Sequence, residues 1–451
     1  MNTKISPAVE KLEVTAEIKA AIDAVNKGHN VFVHGRPGTG KSTFIRCLKN
    51  VLTVKSKNVM FVGATGMAAL HIHGQTIHSF FRINPHDIHE PITYDVRGYL
   101  QKAWKTLDIL VIDEASMVRS DLFDVMNKRF QFVFGDDRPF ANKQIVVVGD
   151  LNQLEPVLNQ QSDLKQDQLC KENYKSSHIF DAHCFNELNF THVFFTKVFR
   201  QQSEEFKKYL SFLEKADSSQ IQQSLEYFNR RVCEKRPLDA VCLCAKKEDA
   251  AKINKEELDK LPAPTYRISA YLTSQAISDW AERNCPAPRD LYLKIGAKVM
   301  FVRNDDSPYK QYINGTVGYV KKINLAENHS IEDIIVEVAE GREIIVTRST
   351  WYRMMIDKRG RQVADMFSFF SQFPIQLAWA TTIHKAQGMT LDSCYVDMGQ
   401  NGAFSIGQTY VALSRVRDIE QLFLKRPLTE ADILPNKAVE EFFNSIQGGV
   451  L

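Results

Sequence analysis

The sequence predicts an α/β fold made of two units, each with a mostly parallel sheet and each interrupted by an inserted segment. Between residues 15 and 200, short apolar stretches rich in Val and Ile alternate with stretches of helical pattern. A second alternation starts near Thr191 and resumes after a long interruption. Short apolar strands interleaved with helices are typical of parallel sheets that are covered on both faces.

Length and composition agree with this architecture. The chain has 451 residues, which is too long for one ordinary core and favours about two to four domains. Hydrophobic residues make up 44% and charged residues 25%, as in a typical soluble globular protein. The net charge of +3 permits a polyanionic partner but is too small to indicate one unless the basic residues are clustered.

No secretory or membrane signal is visible in the sequence. The first 14 residues lack the apolar core of a signal peptide, and no apolar run approaches the roughly 18 residues of a membrane helix. Eight scattered cysteines without a C-x-x-C pair indicate reduced thiols. We therefore expect a protein that is not secreted: cytoplasmic or nucleoid-associated in a prokaryote or phage, nuclear or mitochondrial in a eukaryote.

The first unit is predicted to contain short strands that each end in polar residues. These strands are Asn30–His34, Asn58–Gly63, Ile109–Asp113 and Ile145–Gly149, with a helix at Ser42–Leu52. Residues 82–106 break the alternation with prolines and aromatic residues, which predicts an inserted subdomain. Because ligands of parallel sheets bind at the carboxyl ends of the strands, we expect the functional site at that edge.

The second unit is predicted to begin after residue 185. Its strands are expected at Phe194–Val198, Ala240–Cys244, Gln376–Thr382 and Ser393–Asp397, and short β-like runs from about 295 to 350 interrupt it. We therefore predict a first domain at 1–185 and a second domain at 186–262 and 366–440. An inserted subdomain is predicted at 263–365 and a C-terminal tail at 441–451.

A phosphate-binding loop follows the first strand and opens the first long helix. Its glycines let backbone N–H groups surround phosphates, and the helix N-terminus adds its dipole. Lys41 is predicted to reach the β- and γ-phosphates, and the Ser42 hydroxyl to hold Mg²⁺. The residues predicted to bind the nucleotide here are Gly35, Pro37, Gly38, Thr39, Gly40, Lys41, Ser42 and Thr43.

Three further polar residues lie at predicted strand ends. Asp113 and Glu114 end an apolar strand, where one carboxylate suits Mg²⁺ and the other could polarise an attacking water. Gln153 follows the next strand, and its amide can donate to a γ-phosphate and accept from water. Together with the phosphate loop they predict hydrolysis rather than passive binding of a nucleotide.

Two arginines are candidates for stabilising the charge that develops during phosphoryl transfer. Arg200 follows the predicted strand at Phe194–Val198, and Arg415 lies on a predicted helix. An arginine from another domain is worth about 10³ to 10⁵ in the rate of such reactions. Taken singly, each arginine is better explained as a surface or salt-bridged residue.

These motifs, in this order, resemble the Pif-one family of superfamily-one DNA helicases. The resemblance spans residues 35 to 417, nearly the whole chain. The matching strings are Gly35–Ser42, Gly63–Ala69, Gly74–Phe80, Val111–Met117, Gly149–Val157, Phe195–Gln201, Leu293–Met300, Asn314–Gly318, Thr382–Gly388 and Gln408–Arg415.

The resemblance implies two RecA-like P-loop NTPase domains, with an SH3-like β barrel at residues 300–365 inside the second. It implies ATP and Mg²⁺ as cofactors, and single-stranded and forked or tailed DNA as partners of a monomeric motor. It also implies 5′-to-3′ movement and a role in replication, repair or recombination. Gln153 would sense the γ-phosphate, Arg200 and Arg415 would be arginine fingers, and Gln387 with Gly388 would couple nucleotide state to DNA.

The resemblance also places a set of residues on single-stranded DNA: Thr65, Gly66, His78, Ser79, Phe80, His384 and Lys385. Hydroxyl and backbone N–H groups suit phosphates, and an aromatic ring such as Phe80 suits a base face, where stacking is worth about 1–3 kcal/mol. The residue that separates the duplex is sought in the first insertion, among Tyr94, Tyr99 and Trp104.

Two positions depart from the family pattern. Ile18 stands where the family usually has a glutamine that contacts adenine, and Thr15 and Glu17 are the nearby polar substitutes. The family's Pro-Phe-Gly-Gly stretch reads Pro139-Phe-Ala-Asn142, so that turn could differ.

Three alternatives stay open at this point. A P-loop kinase would share Lys41 and Asp113 but would leave residues 190–420 unexplained. A nucleotide-switched binding protein would not need Glu114, Gln153 and two arginines. Within helicases, a translocase or an RNA-directed enzyme is the alternative, because a preference for the 2′-hydroxyl is not visible in a sequence.

Overall fold

A computed structural model describes residues 14–84, 88, 98–156, 170–215, 217–305, 307, 311–327 and 330–446. The α-helices among these residues are α1 (Ala16–Asn26), α2 (Lys41–Val54), α3 (Gly66–His71), α4 (Ile77–Phe81), α5 (Gly98–Thr106), α6 (Ser120–Phe134), α7 (Glu204–Phe212), α8 (Ser218–Asn229), α9 (Lys247–Asp259), α10 (Gln275–Asn284), α11 (Gln408–Leu413) and α12 (Lys437–Ile446). Within the described ranges, no helix has the length and apolar character needed to cross a membrane.

The strands form two parallel sheets and three antiparallel ones. They are β1 (Val31–Gly35), β2 (Val59–Gly63), β3 (Gln75–Thr76), β4 (Ile109–Asp113), β5 (Gln144–Gly149), β6 (Thr191–Phe195), β7 (Val241–Cys244), β8 (Tyr266–Ser269), β9 (Tyr271–Leu272), β10 (Asp290–Leu293), β11 (Lys298–Phe301), β12 (Val317–Leu325), β13 (Ile331–Val338), β14 (Glu343–Val346), β15 (Ser349–Ile356), β16 (Gln362–Gln372), β17 (Ile375–Leu377), β18 (Ala380–Thr382), β19 (Cys394–Asp397) and β20 (Leu422–Leu424).

The first unit is a six-stranded parallel sheet in the order β3-β2-β4-β5-β1-β6, covered on both faces. Val31 and Val33 pack with α1 and α2, whereas Phe32 between them packs with α6 on the opposite face. Successive strand residues point to opposite faces, so a strand covered on both sides is apolar throughout. The predicted strands at 30–34, 58–63, 109–113 and 145–149 therefore agree with the structure to within a residue or so.

The strand at Thr191–Phe195 belongs to the first sheet, not the second. It pairs in parallel with β1, with Val31 opposite Thr191 and Gly35 opposite Phe195. The expectation that the second unit begins after residue 185, with a strand at 194–198, was therefore wrong. An apolar run predicts a strand but does not reveal which sheet edge the strand joins. The second unit's own core starts with α7 and α8, which pack on β7.

The second unit is a four-stranded parallel sheet in the order β18-β7-β19-β20. Its inserted region contains three antiparallel sheets, in the orders β10-β8, β14-β13-β12-β11-β17 and β15-β16-β9. The predicted end of the insertion at residue 365 was too early, because β16 and β17 pair within these antiparallel sheets.

The described part of the first insertion joins the core of the first unit. Trp104 on α5 is fully buried and lies 5.1 Å from the Phe130 ring and 5.5 Å from the Phe81 ring. This burial contradicts a duplex-separating role for Trp104 in this structure. Tyr94 and the side chain of Tyr99 lie outside the described residues.

The C-terminal helix α12 returns to the first unit. Val439 is buried in its core, Phe442 stacks on Phe180 with ring centroids 4.4 Å apart, and Phe443 meets the His34 ring edge-on at 5.4 Å. The predicted tail at 441–451 was therefore wrong for residues 441–446. Val439, Phe442 and Phe443 share the apolar face of one amphipathic helix, which must be covered.

The turn at Pro139–Asn142 keeps the left-handed conformation that glycine would favour. Ala141 and Asn142 have φ values of 50° and 59°. The Phe140 amide donates to Asn127 Oδ1 at 2.6 Å, which anchors the turn to α6. A non-glycine residue in this region costs about 1–2 kcal/mol, so packing around the buried Phe140 and Ala141 must offset that strain.

The β13–β14 hairpin turn offers a test of backbone strain at an exposed site. Glu340 and Gly341 both have positive φ, at 64° and 69°, the pattern of a turn that favours Asn-Gly. We expect Glu340→Asn to stabilise the hairpin by about 0.5 kcal/mol, measured by hydrogen exchange of residues 331–346. Glu340→Ala removes the same charge but keeps the strain, so equal gains in both variants would contradict this explanation.

Candidate nucleotide site

The phosphate loop connects β1 to α2 in a conformation that requires its glycines. Gly38 and Gly40 have φ values of 79° and 98°, and a Cβ on Gly38 would lie 2.5 Å from Arg200 Cβ. Lys41 begins α2, and its ammonium donates to the carbonyls of Gly35 at 2.5 Å and Arg36 at 3.0 Å. The loop thus curls around the lysine that is predicted to meet phosphates.

A cleft of about 640 Å³ opens over this loop and is shared by both units. Most of the predicted nucleotide residues line it, and Ile18 and Phe199 line it as well. The full lining is Ile18, Pro37, Gly38, Gly40, Lys41, Ser42, Thr43, Glu114, Gln153, Phe199, Arg200, Gly388 and Arg415. Gly35 and Thr39 lie behind the lining and support the loop, with Thr39 Oγ1 donating to the Arg36 carbonyl at 2.9 Å.

Two acidic residues face Lys41 at the end of β4. Asp113 Oδ1 accepts from the Glu114 amide at 2.9 Å, and Glu114 has a left-handed φ of 55°. Burial and the Glu114 charge raise the pKa of Asp113, and burial raises the pKa of Glu114. Burial lowers the pKa of Lys41, against the opposing charges of Asp150, Glu114 and Asp113. The cleft therefore concentrates charges that are costly to bury without a ligand.

Gln153 and Gln387 bring the two units together beside these acids. Gln153 is buried, and its side-chain amide donates to Asp150 Oδ2 at 2.9 Å. Gln387, from the second unit, donates to Glu114 Oε2 at 3.3 Å. A Cβ on Gly407, at the start of α11, would lie 2.5 Å from the Gln153 carbonyl oxygen. The backbone of the second unit thus lies directly against the Gln153 loop.

Arg415 is buried and Arg200 half-buried beside the cleft. Neither forms an ion pair with a carboxylate among the described residues. Arg200 Nη1 donates to the Ser414 carbonyl at 3.3 Å, and Arg415 Nη1 donates to the Ala386 carbonyl at 3.2 Å. Burial lowers the pKa of Arg200 to about 9, with the Arg415 charge as the next cause. Burial likewise lowers the pKa of Arg415 to about 10. The cleft wall therefore carries positive charge suited to a polyanion.

Arg200 occupies a different place in the fold from the one expected. It lies between β6 of the first sheet and α7 of the second unit, not after a strand of the second unit. The Phe199 amide donates to the Gly38 carbonyl at 2.8 Å, while the Arg200 guanidinium contacts the second unit. Arg200 is therefore on the segment that crosses between the units.

The cleft is apolar at Ile18, where the family usually has a glutamine that contacts adenine. Thr15 and Glu17, the nearby polar residues, do not take its place. Ile18 lines the cleft, and its Cδ1 would lie 3.5 Å from a Cβ on Gly40. Thr15 Oγ1 instead caps α1 by accepting from the Ile18 amide, and Glu17 accepts from Thr196 Oγ1 at 2.7 Å. The sequence did not predict that Phe199 lines the cleft. Its only signal there is its position next to the candidate Arg200.

The predicted DNA residues are partly brought together. Gly66 and Ser79 line a small pocket with Trp280, Asn284 and Tyr352, between the first unit and the insertion. A neighbouring cavity of about 370 Å³ is lined by polar and aromatic residues that include His71, Arg303, Asn304, Trp351 and Tyr352. The two cavities share Leu70, Gly74, Tyr352 and Met354, so together they mark a groove along the contact between the first unit and the insertion. The two bodies touch within it, since a Cβ on Gly66 would lie 2.5 Å from Asn284 Cα.

The other members of the predicted DNA set have different surroundings. Phe80 is fully buried against Phe81 and Trp104, which contradicts a base-stacking role. Thr65 Oγ1 caps α3, and burial lowers the pKa of His78 to about 4, with the Arg119 charge as the second cause. His384 stacks with Phe404 at 6.2 Å, and burial lowers the pKa of Lys385.

The phosphate loop, the acidic strand end, the glutamine and the two arginines meet in one cleft, which defines a P-loop nucleotide-binding protein of two α/β units. Residues 10–226 match the family model described as PIF1-like helicase. The unliganded Pif1 structure from Bacteroides sp. is similar, with 30% identity, a TM-score of 0.82 and coverage of 96% of this chain and 97% of that chain. The chain belongs to the PIF1-like helicase family.

Two further comparisons extend this result. The human ATP-dependent DNA helicase PIF1 is 30% identical over 423 residues, which cover 93% of this chain and 62% of the human protein. The chain thus spans about three fifths of the length of that relative. Bacteroides Pif1 bound to ssDNA is 30% identical, with a TM-score of 0.65 and coverage of 96% of this chain and 97% of that chain.

The close approach at Gly407 predicts a selective loss of turnover. Gly407→Ala places a Cβ against the Gln153 carbonyl and displaces the start of the helix that leads to Arg415. We expect the rate of nucleoside triphosphate hydrolysis to fall by about tenfold or more, because small displacements of catalytic groups are costly.

Gly399→Ala is the matched control for this experiment. Gly399 has a similar φ, 70° against 75°, but no atom lies within 4 Å of its Cβ position. The Gly399→Ala variant therefore imposes the same backbone strain but does not disturb a contact between the units. Equal losses in the two variants would contradict the role given to the contact.

Proposed function

We propose that the protein is an ATP-dependent DNA helicase that moves 5′-to-3′ on single-stranded DNA and unwinds duplex DNA. The observation that carries this proposal is the shared cleft. There, the phosphate loop and acids of the first unit face two arginines that have no carboxylate partner among the described residues. Arg200 is half-buried on the crossing segment, and Arg415 is buried in the second unit. The name of the human relative, a DNA helicase that is ATP-dependent, supports the same activity.

The residues of the cleft have separate roles in phosphoryl transfer. Lys41 binds the β- and γ-phosphates after leaving the carbonyls of Gly35 and Arg36. Glu114 orients and polarises the attacking water, and Gln153 contacts the γ-phosphate and that water. Arg200 and Arg415 stabilise the charge that develops on the phosphoryl oxygens.

Mg²⁺ is the implied metal, and the donor set fits it. The Ser42 hydroxyl and the Asp113 carboxylate supply hard oxygen ligands, which this ion prefers. Burial raises the pKa of Asp113 and of Glu114, and a bound divalent cation would stabilise the charged form of both carboxyls. When bound, the ion would neutralise phosphate charge, and Ser42 and Asp113 would hold it.

DNA is assigned to the groove between the first unit and the insertion. Gly66 and Ser79 line it on one side, and Trp351 and Tyr352 supply aromatic faces on the other. Arg303 adds positive charge over the Trp351 ring, 5.5 Å from its centroid. We propose that His384 and Lys385 contact the strand from the second unit, and that forked or tailed duplexes are the substrates.

Four further assignments follow from family membership. The five-stranded antiparallel sheet of β11, β12, β13, β14 and β17 is proposed to be the SH3-like barrel, and the two parallel sheets are proposed to be the cores of the RecA-like domains. The protein is proposed to act as a monomer within the cell. Replication, repair or recombination of DNA is its proposed setting.

The decisive experiment measures ATP hydrolysis with and without single-stranded DNA or RNA, and unwinding of duplexes tailed at either end. We expect DNA-stimulated hydrolysis, unwinding from 5′ tails, and loss of both activities in Lys41→Ala. Hydrolysis indifferent to nucleic acid would refute the helicase proposal, and unwinding only from 3′ tails would refute the polarity. Stimulation by RNA alone would favour an RNA-directed enzyme, and hydrolysis without unwinding a translocase.

Removing Arg200 should separate turnover from binding. We expect Arg200→Ala to lower kcat by about 10³-fold, because an arginine finger acts on the transition state, while the Kd for ATP changes by less than about tenfold. The exposed Arg230 of the second unit provides the control variant Arg230→Ala, which should leave both constants unchanged. Equal losses in kcat and in affinity would contradict the finger role.

A further inference from the structure

An ion pair connects the phosphate loop to the second unit outside the nucleotide cleft. Arg36, the second residue of the loop, donates to Glu214 Oε2 from Nη2 at 2.6 Å and from Nε at 3.1 Å. Glu214 follows α7, and its side chain is only 9% exposed. Its other oxygen, Oε1, is buried without a hydrogen-bond partner. Both hydrogen bonds from Arg36 therefore converge on one oxygen, Oε2, of this largely buried carboxylate.

The backbone of Arg36 holds the residues that bind phosphate. Its carbonyl accepts from Lys41 Nζ at 3.0 Å and from Thr39 Oγ1 at 2.9 Å. The side chain of Arg36 is thus tied to the second unit, while its main chain is tied to the predicted phosphate ligand. A shift of Glu214 would move the carbonyl that positions Lys41.

Two other titratable groups face Glu214, each from an element of the site. Asp150 follows β5 and accepts from Gln153, and Tyr410 lies on α11, which leads to Arg415. With Arg36 from the phosphate loop, these are the charged and titratable groups around the Glu214 carboxyl. Glu214 therefore lies where the phosphate loop, the Gln153 loop and the helix before Arg415 converge.

We propose that Glu214 is a positioning residue for ATP hydrolysis. Its negative charge holds Arg36, and through Arg36 the phosphate loop, in register with Arg200 and Arg415. Glu214 acts through Arg36 and touches no reacting atom. This inference rests on the proposed ATPase activity and adds a charge-dependent link between the two units.

The link has a pH signature. Burial raises the pKa of Glu214 to about 7, against the opposing charge of Arg36. The carboxyl is charged above this value and becomes neutral as the pH falls through it, so the ion pair weakens on the acid side. Burial raises the pKa of Tyr410, which keeps that hydroxyl neutral in the same range. Hydrolysis should therefore decline below about pH 7 in a manner that depends on Glu214.

The test is a double-mutant cycle of Arg36→Met and Glu214→Gln, read as kcat and KM for DNA-stimulated ATP hydrolysis between about pH 6 and pH 9. We expect each single variant to lose about tenfold in kcat above pH 7, and the double variant to lose no more than the worse single variant. In Glu214→Gln the decline on the acid side should shrink relative to wild type. Multiplicative losses in the double variant, or an unchanged acid decline, would overturn the proposal.

Controls separate this proposal from misfolding and from failure of the proposed function. Glu204→Gln removes a charge from the same segment, where the side chain is 87% exposed and pairs with Lys207, and should leave kcat unchanged. Glu214→Asp retains the charge, so it should keep the acid decline even if its shorter side chain lowers kcat. If the pH profile of kcat for Glu214→Asp resembled that for Glu214→Gln, the negative charge at position 214 would not explain the acid decline. Wild-type protein without DNA-stimulated hydrolysis would refute the proposed function, whereas active wild type with unaffected Glu214→Gln would refute the positioning role alone.

Discussion

The fold holds two guanidinium groups, one buried and one half-buried, against a phosphate loop, and neither has a carboxylate partner in the part of the chain that the structure describes. Burying such charge is costly, and the pKa values of Arg200 and Arg415 are lowered by it. The hydrogen bonds of these guanidinium groups go to carbonyl and hydroxyl oxygens, which do not neutralise charge. Across the cleft, burial raises the pKa values of Asp113 and Glu114, which face Lys41. A bound nucleotide with its metal would neutralise both sides, so the two units have an electrostatic reason to close on that ligand.

This arrangement depends on where parallel strands end. The phosphate loop follows β1, the acids end β4, and Gln153 follows β5, so all three reach the same edge of one sheet. The second sheet brings Gln387 and Arg415 to the same cleft, after β18 and on the segment that follows α11. Arg200 lies on the segment that joins the two sheets, so any relative movement of the units acts on it directly. The residues that line the cleft lie outside the three antiparallel sheets, whereas β15 and β16 of one of these sheets line the groove assigned to DNA.

The parts of this structure that could be predicted from sequence are those governed by local pattern. Strand β4 and the phosphate loop were predictable because an apolar run and a glycine pattern dictate their backbone. The partner of β6 was not predictable, because edge pairing is decided by tertiary contacts. Phe80 was misassigned for a related reason: an aromatic residue beside polar ones fits either a base or a core, and the buried Trp104 and Phe81 decide for the core. Glu214 carries no motif, and only the folded chain brings it to Arg36.

Close backbone approaches mark the contacts between the units around the cleft. Glycines make these approaches possible: Gly38 lies against Arg200, and Gly407 lies against the Gln153 carbonyl. These contacts are exacting in geometry, because any side chain at these glycines would collide with its neighbour. Apolar packing joins the units there as well, because Leu154, next to Gln153, is buried in the core of the second unit. The backbone contacts and this packing together fix how the units meet around the cleft, and the ion pair of Arg36 with Glu214 adds a charge-dependent contact to them.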